Sequence, residues 1–103
     1  MSGSASFREV LLRAIDDALL VPGEIVRVAI YDRIEKNCQI RHEEIPETLE
    51  MFHKALQQLM GVSSRVMEKL IAKNLYRQLS LNFNDHENWT LLDYVDHAKK
   101  AHE

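Results

Sequence analysis

Apolar side chains recur at spacings of three and four residues over most of this 103-residue chain. Because an α-helix has about 3.6 residues per turn, this spacing places the apolar residues on one side of a helix. The clearest case is Phe7–Leu20, whose charged residues fall on the opposite side. Ser6 and Glu9 are spaced as a capping box, which predicts that this helix begins at Phe7. The dominant pattern therefore predicts an all-α fold.

Proline and glycine separate the next two segments that have this spacing. Pro22 breaks the chain before a helix predicted at residues 23–36, because proline disfavours a helix interior. The apolar arc of this second helix is too wide for a helix that only lies on a surface, so we expect the helix to be nearly central. A third helix is predicted at residues 46–60, beginning at Pro46 and ending where Gly61 can adopt a left-handed conformation.

The last two helices lie on either side of a segment with a different pattern. A fourth helix, residues 63–79, is predicted to have Ser63 or Ser64 as its N-cap. In residues 79–90 the spacing changes to alternation, which predicts a short extended segment or a hairpin. A capping box that starts at Thr90 then predicts the beginning of the fifth helix.

A chain of this length is expected to form one domain with one hydrophobic core. We therefore predict a single compact bundle of about five helices over residues 1–103, with residues 1–5 disordered. The second and fourth helices are expected at its centre. Between the second and third helices lies a polar connection with two isolated apolar residues, Ile40 and Ile45, which we expect to anchor it.

Composition excludes several classes of protein. The chain is 46% hydrophobic and 28% charged, which is typical of a soluble globular domain. Its apolar stretches are too short to span a bilayer, and its N-terminal region lacks the basic and apolar regions of a secretory signal. The single cysteine, Cys38, cannot form an internal disulfide bond. We expect a soluble protein of the cytoplasm.

A basic residue stands at every fourth position of the fourth helix, and together these residues form a positive stripe. The same helix carries two apolar rows, and the second row runs between the basic residues. Apolar rows on both flanks predict that this helix packs on its own domain on one side and on another surface, such as a second copy, on the other. The stripe is Arg65, Lys69, Lys73 and Arg77, and the two rows are Met67, Ile71, Leu75 and Leu79, and Val62, Val66 and Leu70.

The four stripe residues are candidates for contacts with a protein partner or with nucleic acid. In a DNA-binding protein of helix-turn-helix or winged-helix type, such residues would contact phosphates or base edges. However, 13 basic against 16 acidic residues give a net charge of −3, which opposes long-range attraction to a polyanion. The simpler interpretation is that these side chains are the solvated edges of a packing helix.

The sequence contains no pattern typical of a catalytic or metal site. Asp93 and His97 have the i, i+4 spacing of two ligands on one helix side, but a zinc site needs three or four ligands. Three glycines cannot build a phosphate-binding loop. The other four histidines are expected at the surface: His42, His53, His86 and His102. We predict no metal site, no cofactor and no enzyme activity.

Three segments of the chain together resemble a known archaeal family. The residues that carry the resemblance are Gly23, Glu24, Val26, Arg27, Ala29, Ile30, Tyr31, Glu44, Ile45, Pro46, Phe52, Leu56, Gly61, Glu68, Leu70, Ile71 and Leu75. With these residues the chain resembles the Nitrosopumilus output domain of the fifth type. The resemblance implies an archaeal module that occurs with signalling architectures, and it brings no catalytic motif.

These observations lead to one functional prediction, one main alternative and a third possibility, which is a helical bundle that holds an apolar ligand. We predict a non-enzymatic interaction or signal-output module that acts through helix packing and forms a homodimer, with part of the fourth helix covered by self-association. A separate protein partner is compatible with the same surface. The alternative is a DNA-binding transcriptional regulator that uses the positive stripe.

Overall fold

The computed structural model describes residues 6–102 and confirms the all-α prediction. These residues form five α-helices and one short 3-10 helix, and no strand is present among them. The predicted disorder of residues 1–5 lies outside the described part of the chain. The α-helices are α1 (Phe7–Leu20), α2 (Glu24–Cys38), α3 (Leu49–Met60), α4 (Ser63–Gln78) and α5 (Leu91–His102), and the 3-10 helix (His42–Glu47) precedes α3.

The centre of the bundle is formed by α1 packed against α4. Helix α4 is the most deeply buried helix, and its buried residues include the whole row from Met67 to Leu75. Helix α1 buries six residues on one side, as its spacing predicts. The side chain of Asn74 is also buried here and donates to the backbone carbonyl of Ala14 at 3.4 Å. The predicted central position of the fourth helix is therefore confirmed.

The predicted central position of the second helix is wrong. Only Ile30 and Ile34 of α2 are buried, both in the second half of the helix. In the first half, Ile25 and Val28 are exposed to solvent. The physical reason is that α1 occupies the place beside α4, so α2 lies at the outside and contributes one short stripe to the core. The width of the apolar arc shows how much of the surface of a helix is apolar. It does not determine which part of that surface the rest of the monomer buries.

The connection between α2 and α3 is more ordered than the sequence indicates. Ile40 and Ile45 are buried as predicted, but Ile45 lies in the 3-10 helix, which the sequence analysis did not foresee. The third helix begins at Leu49, so its predicted start at Pro46 is wrong. The cause is Thr48, whose backbone (φ −128°, ψ 40°) lies outside the helical region and separates the two helices.

Most predicted helix ends are confirmed. Ser6 and Glu9 form the capping box of α1, with N–H to oxygen distances of 2.9 and 3.2 Å. Gly61 ends α3 with a positive φ of 58°. The prediction of a serine cap for α4 is wrong, because Val62 precedes the helix and no side chain caps it. Ser64 is instead buried in the first turn.

Residues 79–90 cross from the end of α4 to the start of α5 without a regular structure. This segment is non-helical, as predicted, but it contains no hairpin. Leu81 and Phe83 are partly buried against the core, and Ser80 has a positive φ of 58°. At the start of α5 the carboxylate of Asp93 accepts from the backbone N–H of Thr90 at 2.9 Å, as the capping box predicts.

Candidate functional site

The structure places the positive stripe of α4 alongside the segment of residues 79–90. The guanidinium of Arg65 donates to the backbone carbonyl of Glu87 at 2.9 Å, and the ammonium of Lys69 lies 3.0 Å from the carboxylate of Asp85. The ammonium of Lys73 lies over the ring of Phe83, 5.8 Å from its centroid. The chain itself therefore covers part of the stripe.

The fourth stripe residue is separate from the other three. Arg77 donates to the side chain of Asn74 at 2.8 Å, which ties it to its own helix. It does not line the groove that the other three residues share. The helical spacing thus correctly predicted that Arg65, Lys69 and Lys73 lie on the same side of α4. Arg77, the last residue of the stripe, lies outside the groove.

The groove lies between α3, α4 and the segment that leads into α5, and it has a volume of about 560 Å³. A volume of this size is within the range of protein binding pockets. Cationic, apolar and aromatic side chains alternate along its walls. Its walls are lined by His53, Gln57, Ser64, Arg65, Val66, Glu68, Lys69, Leu70, Lys73, His86, Glu87, Asn88, Trp89, Thr90, Leu91 and Tyr94, so they also carry one exposed carboxylate, that of Glu87.

A buried carboxylate and a histidine form the floor of this groove. The side chain of Glu68 is only 7% exposed, and one of its oxygens is bonded to Nδ1 of His53. Its other oxygen faces the backbone N–H of Leu91 at 3.4 Å, at the start of α5. A carboxylate is favourable at this position, because the first N–H groups of a helix carry partial positive charge. Glu68 therefore connects three helices.

The sequence analysis missed this pair, and its prediction of a surface position for His53 is wrong. The His53 side chain is largely buried because α4 packs against α3 at this point. One signal in the sequence was available. Glu68 is the only acidic residue of α4, and the small residues Ser64 and Ala72 stand one turn before and after it on the buried side. Such neighbours indicate close packing around a polar group.

Aromatic side chains hold the segment of residues 79–90 against α4 and α5. The rings of His86 and Trp89 are stacked with centroids 3.7 Å apart. The hydroxyl of Tyr94 accepts from the backbone N–H of His86 at 2.8 Å. The hydroxyl of Tyr76 donates to the backbone carbonyl of Tyr94 at 2.8 Å, and burial raises the pKa of Tyr76. This wall of the groove is therefore fixed by packing and hydrogen bonds.

The ion pair of Lys69 and Asp85 is at the exposed edge of the groove. The hydrogen bond from Lys69 is the main reason that the pKa of Asp85 lies below its ordinary value, and the nearby charge of Lys73 acts in the same direction. The side chain of Asp85 is exposed to solvent, so water screens this interaction. The lowered pKa of Asp85 nevertheless shows that Lys69 and Lys73 favour a negatively charged group at the groove edge.

A second polar cluster lies on the other side of the molecule and has a structural explanation. Asp16 of α1 accepts from the hydroxyl of Tyr31, and Nε2 of His42 lies 2.7 Å from the same oxygen. Burial and this hydrogen bond raise the pKa of Tyr31 well above its ordinary value. Three elements are joined at one carboxylate, so the cluster fixes the position of α2 and of the 3-10 helix on α1.

The largest group of exposed aliphatic side chains lies at the end of α1 and in the first half of α2. We call it the α2 apolar surface, and Ile25, which is 86% exposed, is its most exposed member. On α4, Val62 and Val66 are also exposed, so the second apolar row of that helix is open at its beginning. The α2 apolar surface consists of Leu20, Val21, Ile25, Val26 and Val28.

Neither a metal centre nor a membrane-spanning helix is found in residues 6–102. Within this range, no group of three or more histidine, cysteine, aspartate and glutamate side chains is arranged to hold a metal ion. Each helix of the described chain is also too short or too polar to cross a bilayer.

Comparisons with protein-family models, with curated proteins and with solved structures found no match for this chain. The resemblance to the Nitrosopumilus output domain therefore stays a prediction.

Proposed function

We propose that this chain is a non-enzymatic interaction module that forms a homodimer through the α2 apolar surface. The observation that carries the proposal is the exposure of Ile25 among four other exposed aliphatic side chains. Full burial of one such side chain is worth about 1.5–3 kcal/mol, so an unpaired surface of this kind favours association.

The sequence of α2 supports the same proposal. Its apolar arc is wide enough for a helix that is covered on two sides, yet the monomer covers only the stripe of Ile30 and Ile34. In a two-fold dimer the same surface of both copies would meet, and α2 would pack antiparallel to α2 of the second copy. Ile25 and Val28 would then alternate along the contact, and the helix would be buried on both sides.

This proposal moves the homodimer contact away from the place that the sequence predicted. The predicted contact was on α4, whose second apolar row is open only at Val62 and Val66, while Leu70 is half-buried. The α2 apolar surface contains five exposed aliphatic residues, against two on α4. We therefore assign self-association to α2 and leave the groove beside α4 for a different contact.

The buried pair in the groove floor supports a non-enzymatic role. Both oxygens of Glu68 are engaged, one with His53 and the other with the start of α5. A carboxylate held in this way stabilises the packing of three helices. The resemblance to the output-domain family adds the proposal that the module transmits a signal in the cytoplasm of an archaeon.

Sedimentation velocity tests the dimer. Concentrations from about 1 to 200 μM cover association free energies of roughly −8 to −5 kcal/mol. We expect the wild-type chain to shift from monomer to dimer in this range and Ile25→Asp to remain monomeric. Val62→Asp is the matched control, because Val62 is an equally exposed aliphatic residue outside the α2 apolar surface. It should still dimerise.

The dimer proposal is wrong if the wild-type chain stays monomeric at the highest concentration. It is also wrong if both variants dimerise like the wild type. Far-UV circular dichroism of each variant checks that the helices are retained.

A DNA-binding regulator of helix-turn-helix type is the second candidate. It is favoured by the exposure of Arg65, Lys73 and Arg77 on a helix that follows the short turn at Gly61. The winged-helix form has less support, because residues 79–90 contain no hairpin. If the second candidate is right, a labelled duplex will bind with an affinity that falls steeply with salt. No binding at low salt would exclude it.

A further inference from the structure

The chain neutralises the cations of the groove incompletely. Lys69 is paired with Asp85, but in residues 6–102 no carboxylate lies within 4.0 Å of the charged groups of Arg65 or Lys73. Arg65 contacts a backbone carbonyl, and Lys73 contacts an aromatic ring. Two positive charges at the groove edge are thus available to an acidic partner.

The same groove has an apolar surface between these cations. Val66 is 73% exposed, and Leu70 and Trp89 are half-buried beside it. Because Val66 and Leu70 are four residues apart, they form one line along α4. An apolar line with cations along its edge is the arrangement that accepts an amphipathic helix in a groove.

We propose that this groove binds an acidic amphipathic helix of a partner protein, with the apolar side of that helix against Val66 and Leu70. The acidic residues of the helix would pair with Arg65, Lys69 and Lys73. This inference rests on the proposed role as an interaction module. It is independent of the homodimer, because no residue of the α2 apolar surface lines the groove.

The segment of residues 79–90 already contains one contact of the kind proposed for the partner, a carboxylate that pairs with a lysine of the groove. The exposed carboxylate of Asp85 already forms an ion pair with the ammonium group of Lys69, and this contact lowers the pKa of Asp85. A carboxylate of the partner would compete with Asp85 for the same ammonium group. Removal of the Asp85 charge should therefore strengthen partner binding, whereas a purely structural role of the ion pair predicts no gain.

The apolar line favours a protein partner over DNA. The contacts of DNA-binding residues with a duplex are dominated by charged phosphates, which gain nothing from Val66 or Leu70. A protein helix would bury both side chains, and this burial adds to the affinity. Nucleic acid is therefore an outcome that the test must distinguish.

Fluorescence anisotropy with three labelled probes tests the proposal. The first is a synthetic peptide of about 15 residues, long enough to form a helix on binding, with leucine at positions i, i+3, i+4 and i+7 and glutamate on the other side. The second has the same composition in an order that gives no apolar side. The third is a DNA duplex.

The variants separate the apolar and the charged parts of the site. We expect Val66→Ser to weaken binding of the first peptide about tenfold, which is the effect of losing one buried aliphatic contact. Lys73→Glu should weaken it about fivefold, and Asp85→Asn should strengthen it about two- to fivefold, as expected for exposed charge pairs. Ile25→Asp is the matched control outside the groove and should bind like the wild type.

Three results would overturn the proposal. These are equal binding of the two peptides, binding of the first peptide that is unchanged by Val66→Ser, and tighter binding of the duplex than of the peptide. Loss of peptide binding in Ile25→Asp would show that the peptide occupies the α2 apolar surface, which also refutes the groove site. Failure of dimerisation alone leaves the peptide result intact, so the two proposals fail separately.

Discussion

Replacing Glu68 with leucine should strongly destabilise the domain, because it removes the acceptor of the buried hydrogen bond with His53. Leucine has a similar size, so the main loss is electrostatic and no large cavity is created. A hydrogen bond to a charged group contributes about 1.5–3 kcal/mol, and a buried donor without its partner adds a further cost. His53 loses the one side-chain hydrogen bond that it makes within residues 6–102, while the contact to the N–H of Leu91 is long at 3.4 Å and contributes little.

The expected cost of Glu68→Leu is therefore about 3 kcal/mol of unfolding free energy. For a domain of about 100 residues this corresponds to a melting temperature roughly 12–24 °C lower. Urea unfolding at constant pH, followed by far-UV circular dichroism, measures the free energy directly. Glu68→Gln is the matched variant that keeps the shape and an oxygen acceptor, and it should lose less.

A double-mutant cycle with His53→Leu measures the interaction free energy between His53 and Glu68 separately from their contacts with other residues. Removing both partners replaces the buried hydrogen-bonded pair by apolar side chains, which is often close to neutral. The double variant should therefore be more stable than the sum of the two single changes predicts, by about 1–3 kcal/mol. A coupling below about 0.5 kcal/mol, or a cost of Glu68→Leu of that size, would refute the view that this pair stabilises the packing of α3 on α4.

Two further predictions concern the backbone and the exposed ion pair. Gly23→Ala should lower the free energy of unfolding, measured with urea, by about 1–3 kcal/mol, because its backbone angles, φ of 127° and ψ of 157°, are essentially restricted to glycine. The cause is not a steric clash, since nothing around Gly23 in residues 6–102 lies within 4 Å of the added Cβ. An unchanged midpoint of the urea transition would contradict this prediction. Because Lys69 lowers the pKa of Asp85, their ion pair stabilises the fold above the ordinary aspartate pKa of about 3.9, and this contribution is lost as the pH falls through the lowered pKa. The melting temperature of Asp85→Asn should thus lie below that of the wild type at neutral pH and approach it in acid, and a difference that is constant with pH would contradict the assignment.

Helix positions were predictable because their signals are local. The capping box at Ser6 and the glycine at position 61 act on neighbouring residues, so they mark the ends of α1 and α3 without knowledge of the fold. The start of α3 was not predictable in the same way. Pro46 can begin a helix or lie in a short 3-10 helix, and here the burial of Ile45 and the backbone of Thr48 decide between these possibilities.

Of the candidate site, only the wall formed by α4 was predictable from the sequence. The spacing of Arg65, Lys69 and Lys73 places them together because helical geometry is fixed within a few turns. The opposite wall depends on the path of residues 79–90, which is set by packing on aromatic side chains of other elements. The bond between His53 and Glu68 likewise depends on how α3 lies against α4.

The wrong prediction for α2 has a physical meaning that leads back to function. Apolar spacing measures how much surface a helix would bury favourably. The monomer buries that surface on α1 and along the row of α4 from Met67 to Leu75, whereas on α2 it buries only Ile30 and Ile34. The uncovered aliphatic residues of α2 are Ile25, Val26 and Val28, and Ile25 is the most exposed of them. Full burial of one such side chain is worth about 1.5–3 kcal/mol, so contact with a second apolar surface is favourable here. The part of the sequence pattern that the monomer leaves unsatisfied is therefore the part that favours association.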